Sequence, residues 1–188
     1  MINHPSTIRH GVRILAAGIL VASLLLSTEA CRGKHNRTTV VNEEEAAPRV
    51  GSALKVSDPS AVQQLIKGFY GLEGGSWRWT ARRFTVVLKP PLASPQLGAH
   101  LNLAISIPEV VTEKLGPVTL SASIDGTKLA SVTYSKPGGY IYAADVAPEL
   151  MKKETVIVEF ELDKSLPPGP SDQRELGVIA TSVGLVTR

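Results

Sequence analysis

Val118-Thr119-Leu120-Ser121-Ala122-Ser123-Ile124, then Asp125-Gly126, then Thr127-Lys128-Leu129-Ala130-Ser131-Val132-Thr133-Tyr134: the reading of this stretch decides the fold class. Val118–Ile124 and Lys128–Tyr134 are short segments with the two-residue period of strands. Asp125-Gly126 between them supplies the two positive-φ positions that a type I′ hairpin turn demands. The segment is therefore a hairpin, and its neighbours follow the same pattern.

Outward from it, the candidate strands are Phe69–Leu72, Trp77–Thr80, Phe84–Leu88, His100–Ile107, Tyr140–Ala143, Val156–Leu162 and Val178–Val186. Pro90-Pro91, Pro137-Gly138-Gly139 and Pro167-Pro168-Gly169-Pro170 interrupt pairing and mark loops. Pro108–Leu115 and Pro148–Lys152 read as helical turns. Before the first strand, Asp58 can cap a short helix, Pro59 suits its first position, and Ala61, Val62, Leu65 and Ile66 form one apolar face that ends at Gly68. A helix this short holds only when docked, so it is expected to lie on the sheet. The expectation for residues 55–188 is an all-β sandwich with one short N-terminal helix and two short helical turns. A domain of this size folds without disulfides or metals.

The beginning of the chain has a different character. Arg9 and Arg13 precede an apolar run, Ile14–Leu26, broken only by Gly18 and Ser23, which is the layout of a secretory signal peptide over residues 1–30. The run falls short of the roughly 18 residues that a membrane-spanning helix requires. It is followed by Ser27-Thr28-Glu29-Ala30-Cys31, and Cys31 is the only cysteine in the chain. This stretch resembles the lipobox of bacterial lipoproteins, and the resemblance implies a lipidated Cys31 that anchors the protein to a membrane. Thr28 stands where that motif usually has an aliphatic residue, so ordinary cleavage after Ala30 is the alternative. Residues 31–54 are polar and charged, with Lys34-His35-Asn36-Arg37, Glu43-Glu44-Glu45 and Ala46-Ala47-Pro48, and read as a flexible tether. The chain is thus expected to be exported and held in the cell envelope.

Composition narrows the function. A net charge of +3 is mild, and the nearest basic patch, Arg78, Arg82 and Arg83, is too small for a nucleic-acid footprint. Beyond the tether the only histidine is His100, which has neither a nucleophile motif nor metal-binding companions, so neither a catalytic triad nor zinc is expected. Asp125, Asp145, Asp163 and Asp172 are loop acids without the spacing of a calcium loop. No cofactor is expected. Glu159 and Glu161 share a strand face opposite Val158, Phe160 and Leu162 and should face solvent.

Trp77 and Trp79 share one strand face and Arg78 the other. With Tyr70, Tyr140 and Tyr142 the tryptophans could form a platform for sugar rings, flanked by Glu73 and Arg78 as hydrogen-bonding groups. The competing expectation is that both indoles are core and that Glu73 and Arg78 pair across neighbouring strands. Asp172 and Arg174 should form a carboxylate–guanidinium lock that fastens the proline-rich loop. The residues Ile124-Asp125-Gly126-Thr127-Lys128-Leu129, Gly139-Tyr140-Ile141-Tyr142, Val156–Phe160 and Asp172-Gln173-Arg174-Glu175-Leu176-Gly177 resemble galactose-binding-like jelly rolls. Phe69-Tyr70-Gly71-Leu72-Glu73 and Trp77-Arg78-Trp79-Thr80 extend that resemblance to modules of bacterial envelope-polysaccharide proteins. It implies a non-catalytic domain that binds an envelope glycan. A structural or assembly module that docks on an envelope protein is the rival, and an enzyme comes third.

Overall fold

The computed structural model describes residues 49–188; the apolar run, Cys31 and the tether up to residue 48 lie outside them. Ten strands follow one another: β1 (Ala53–Lys55), β2 (Leu65–Glu73), β3 (Trp77–Leu88), β4 (Ala99–Ile107), β5 (Val118–Ile124), β6 (Thr127–Lys128), β7 (Val132–Tyr134), β8 (Gly138–Val146), β9 (Val156–Leu162) and β10 (Ile179–Thr187). Short helices interrupt them at Pro59–Gln64, Ser94–Leu97, Glu109–Leu115 and Pro148–Met151. The hairpin that decided the fold class is present, with Asp125 at φ 47° and Gly126 at φ 83°. Lys128–Tyr134 divides into β6 and β7 around residues 129–131.

Every pairing is antiparallel, and the strands form one path, β6-β5-β9-β3-β10-β4-β8, with β1 beside β10, β2 beside β3 and β7 beside β5. β3 is the strand that turns the path into two layers. Its first residues, Arg78 and Trp79, pair with β10, whereas Arg83–Leu88 pair with β9. The sheet curls at that change of partner, which brings β8 over β9 although three strands separate them on the path. The rings of Tyr142 and Phe160 meet edge to face at 6.1 Å, and Phe160 stacks on Phe84 at 5.0 Å. Alternation does the rest: Leu101, Leu103, Ile105 and Ile107 of one layer and Val156, Val158, Phe160 and Leu162 of the other turn inward and are buried. Each such side chain contributes about 1.5–3 kcal/mol by leaving water.

The structure corrects three expectations. The N-terminal helix is a 3-10 helix that ends at Gln64, because Leu65 pairs with Val86 and begins β2. Asp58 does cap it, accepting from the Ser60 N–H at 2.8 Å. Gly68 does not end a helix. It sits at an irregularity of β2 with φ 76°, where a Cβ would lie 2.1 Å from the Arg83 carbonyl oxygen, so only glycine fits. The start of the sandwich also moves. Ala53 and Leu54, placed in the tether, belong to the sheet, with Leu54 buried opposite Val183 and Gly51 held by both ends of the Gln64 amide at 3.0 Å. Gln64 is itself buried and donates to the Val87 carbonyl at 2.9 Å, so one amide staples the chain entry to β3.

Candidate functional site

The outer face of the layer β2-β3-β9-β5-β6 carries a groove of about 520 Å³. Its construction follows from register, since residues directly opposite in antiparallel strands point to the same face. Lys67 of β2 is opposite Thr85 of β3, Thr85 opposite Glu159 of β9, Glu159 opposite Ser123 of β5, and Ser123 opposite Lys128 of β6. One row thus reads ammonium, hydroxyl, carboxylate, hydroxyl, ammonium across five strands. At a strand spacing of about 4.8 Å the row is about 19 Å long. A second row runs beside it, from Arg83 to Glu161 to Ser121. Short side chains in the middle and long ones at the ends and edge leave the trough between them.

Its electrostatics are uneven. Arg83 donates to Glu161 Oε1 through Nε at 2.9 Å and Nη2 at 2.8 Å, so that pair is mutually satisfied. Among the described residues Lys67, Lys128 and Glu159 take part in no ion pair. Three charges therefore face the groove without an ion-pair partner among the described residues. Phe160 is the groove's only aromatic residue, and it is buried beneath the floor.

None of the seven residues read as a ligand platform lines this groove. Tyr142 is wholly buried in the core, and its hydroxyl donates to the Ala130 carbonyl, which corrects its placement among ligand-binding candidates. Tyr140 is half-buried against Tyr134, with 4.7 Å between ring centroids, and donates to the Lys136 carbonyl. Trp77 and Trp79 meet edge to face at 6.4 Å and are half-buried. Trp79 packs on the core, whereas Trp77 covers the turn at Gly74. The expected pair of Glu73 with Arg78 does not form. Arg78 donates to the carbonyls of Val56 at 2.8 Å and Tyr70 at 2.9 Å, because its face of β3 looks onto backbone.

Glu73 instead pairs with Arg174 at 2.7 Å. Arg174 also forks onto Asp172, with Nε to Oδ1 at 3.0 Å and Nη2 to Oδ2 at 2.8 Å, and its guanidinium lies 5.2 Å from the centroid of the Tyr70 ring. The Tyr70 hydroxyl donates to the Glu175 carbonyl at 2.7 Å. The hydrogen bond from the Arg174 side chain, helped by its backbone N–H, holds the Asp172 carboxyl down at about 2. Tyr70, Glu73, Asp172 and Arg174 thus fasten the loop before β10 to the β2–β3 hairpin. Gly177 completes the closure, since a Cβ there would lie 2.7 Å from the Ala81 carbonyl oxygen and from Leu162. The basic patch is also dispersed, with Arg82 donating to the Leu162 carbonyl at 2.9 Å.

The loop acids are engaged separately. Asp125 accepts from Lys153 and Asp163 from the Thr119 N–H, while Asp145 lies 2.7 Å from His100 and 3.6 Å from Arg188. A second depression, of about 650 Å³, lies on the outer face of the other layer among Ala53, Ala104, Ile141, Gly184 and Val186. It is shallow and mostly apolar, with Lys55, Asp58, Asn102 and Ser182 also on its lining and Ile141 68% and Val186 55% exposed.

Sequence reasoning placed Glu159 and Glu161 toward solvent but did not find the groove. The signal that could have found it is Leu120-Ser121-Ala122-Ser123-Ile124, two small hydroxyls on the outer face of a strand flanked by long charged side chains.

No protein-family model matches this chain, and no curated protein does. Solved structures align with parts of it. An acetyl xylan esterase from the rumen bacterium Butyrivibrio proteoclasticus aligns at TM-score 0.42 and 12% identity, over 74% of this chain and 34% of its own, so this chain spans about a third of that enzyme. The CBM36-1 domain of a multidomain xylanase from the hindgut metagenome of Trinervitermes trinervoides aligns at TM-score 0.35 and 10% identity, over 65% of this chain and 92% of its own. A CBM51-2 and INT fragment of Clostridium perfringens ZmpB, solved with GlcNAc, aligns at TM-score 0.34 and 13% identity, over 73% of this chain and 28% of its own.

Proposed function

We propose that this chain is a non-catalytic β-sandwich, exported and anchored through a lipid on Cys31, that binds a glycan of the cell envelope in the groove of the β2-β3-β9-β5-β6 layer. The observation that carries the proposal is the row Lys67, Thr85, Glu159, Ser123, Lys128, in which five strands converge hydroxyls and charges on one concavity. Convergent polar groups in a concave site are what fix a hydroxylated ligand in place. Glu159 accepts from ligand hydroxyls, Ser123 both donates and accepts, Ser121, whose hydroxyl donates to the Glu161 carbonyl at 3.1 Å, accepts, and the lysines donate. A binding role rather than catalysis is favoured because Glu161 is tied to Arg83, and because His100 stands on the other layer, 2.7 Å from Asp145. Export and anchoring rest on Arg9 to Cys31 in the sequence.

The rival role, docking on an envelope protein, would use the apolar depression around Ile141 and Val186. Nothing there indicates what would cover it, and the polar groove is the better-formed site.

The test is a glycan array probed with the full chain and its Glu159→Gln variant. The proposal expects discrete glycan hits that weaken at least about tenfold in the variant, the scale of one charge-assisted hydrogen bond, with the melting temperature unchanged. Hits that survive Glu159→Gln at full strength would place the site elsewhere.

A further inference from the structure

We infer that the ligand of the groove is an acidic polysaccharide in which negatively charged sugars are separated by neutral, hydroxyl-bearing ones. This rests on the groove being the glycan site and adds the ligand's charge pattern. Three observations carry it. The first is that, among the described residues, no exposed ring lies in the groove to stack on the apolar face of a neutral sugar, since Phe160 is beneath the floor. Affinity must come from hydrogen bonds and charge.

The second is the position of the two ammonium groups. Lys67 and Lys128 terminate the row and, among the described residues, neither pairs with a carboxylate. A neutral chain laid along the row would strip water from both and return only neutral acceptors, which is costly for a charge. An anion at each end compensates that loss with a charge-assisted hydrogen bond.

The third is Glu159 at the centre. It faces the same trough, two strand spacings of about 4.8 Å from either lysine position. A carboxylate of the ligand placed over it would be repelled, whereas a hydroxyl would donate to it. Arg83 does not relieve that repulsion, because it is spent on Glu161. The row therefore selects anion, hydroxyl, anion over a reach of about 19 Å. A polymer acidic at every sugar puts charge at the wrong place, and a neutral polymer leaves both ends unanswered.

The test is a surface panel of deacylated gellan, in which one acidic sugar is followed by three neutral ones, polygalacturonate, in which every sugar is acidic, and dextran, galactan and xylan, which are neutral. It is probed with the full chain and with Lys67→Ala/Lys128→Ala, Glu159→Gln and the control Lys89→Ala/Lys152→Ala. The inference expects gellan to bind best, with a loss of about a hundredfold in the groove-lysine double variant, about tenfold per charged contact, and little change in the control. Glu159→Gln should narrow the preference for gellan over polygalacturonate. Binding to neutral polymers that Glu159→Gln weakens and Lys67→Ala/Lys128→Ala spares would overturn the charge pattern and leave the groove as a glycan site. Equal losses in the groove-lysine and control double variants would mean unspecific attraction to a basic protein and would also overturn it. No binding anywhere on the panel or on the array would overturn the glycan reading together with this inference.

Discussion

Tyr142 of β8 meets Phe160 of β9 edge to face, with 6.1 Å between ring centroids, and this contact closes the two layers on each other. Both rings are buried, and the Tyr142 hydroxyl ends on the Ala130 carbonyl. Tyr142→Ala should therefore cost about 3–5 kcal/mol, the loss of a large buried ring plus its cavity, whereas Tyr142→Phe should cost about 1 kcal/mol for the hydrogen bond. Burial also pushes the Tyr142 phenol up to about 12. The unfolded chain loses this proton near pH 10 while the fold retains it, so stability falls as pH rises from about 10 to 12. Tyr142→Phe should weaken that alkaline loss. Chemical denaturation of the three proteins across the alkaline range checks both effects.

Gln64 offers a second test, of where the domain begins. It is buried and makes three hydrogen bonds, to both backbone groups of Gly51 and to the Val87 carbonyl. Gln64→Leu keeps the volume and strands those groups, at a cost of about 2–3 kcal/mol. Cutting the chain just before Arg49 should leave the melting temperature unchanged. Cutting it after Leu54 should lower it, because β1 and the Gly51 contacts go with the cut. Equal melting of the two truncations would return Gly51–Leu54 to the tether.

The Arg174 fork predicts behaviour in acid. Its hydrogen bond holds Asp172 at about 2, below the roughly 3.9 of an unfolded aspartate. The sign is that of a depressed carboxylate: stability is fully present above about pH 4 and is lost as pH falls toward 2. Asp172→Asn should flatten that limb of the stability curve and loosen the loop before β10. Hydrogen exchange at Gly177 and Val178, whose N–H groups donate to the Thr80 carbonyl and hydroxyl, reports the loosening directly.

Much of this fold was legible because one face of most strands is apolar. The alternation in Val118–Ile124, His100–Ile107 and Val156–Leu162 reads directly as strand. Ala81-Arg82-Arg83 misled, dividing β3 in two, because its polar side chains look like a turn. They are outward residues at the point where β3 changes partner, and their guanidinium groups are caught by the Leu162 carbonyl and by Glu161. Leu65 and Ile66 have helical spacing from Ala61 and Val62, but the long β3 offers an open edge, and pairing there overrides local preference. The groove was not legible for a related reason. Its row depends on the register of five strands, and that register passes through the irregularity at Gly68, which no local pattern of residues reveals. The aromatic residues, conspicuous in the sequence, serve packing and the hairpin end.

Anchoring makes a prediction that stands apart from the groove. A chain processed at Cys31 should incorporate labelled palmitate in a bacterial host and partition with membranes, and Cys31→Ala should do neither. Cleavage after Ala30 without a lipid would leave wild type and variant alike unlabelled and soluble.

The central claim is that ligand enters the polar groove and not the tryptophan pair. Ser123→Trp would fill the trough from a half-buried position on the outer face of β5, while Trp77→Ala would remove a half-buried indole at the far end of β3. Calorimetric titration of one array-positive glycan into wild type, Ser123→Trp and Trp77→Ala, each with a melting curve, compares the two sites directly. The account predicts that Ser123→Trp loses binding and melts like wild type, while Trp77→Ala binds like wild type. Retained binding in Ser123→Trp and lost binding in a stably folded Trp77→Ala would contradict it.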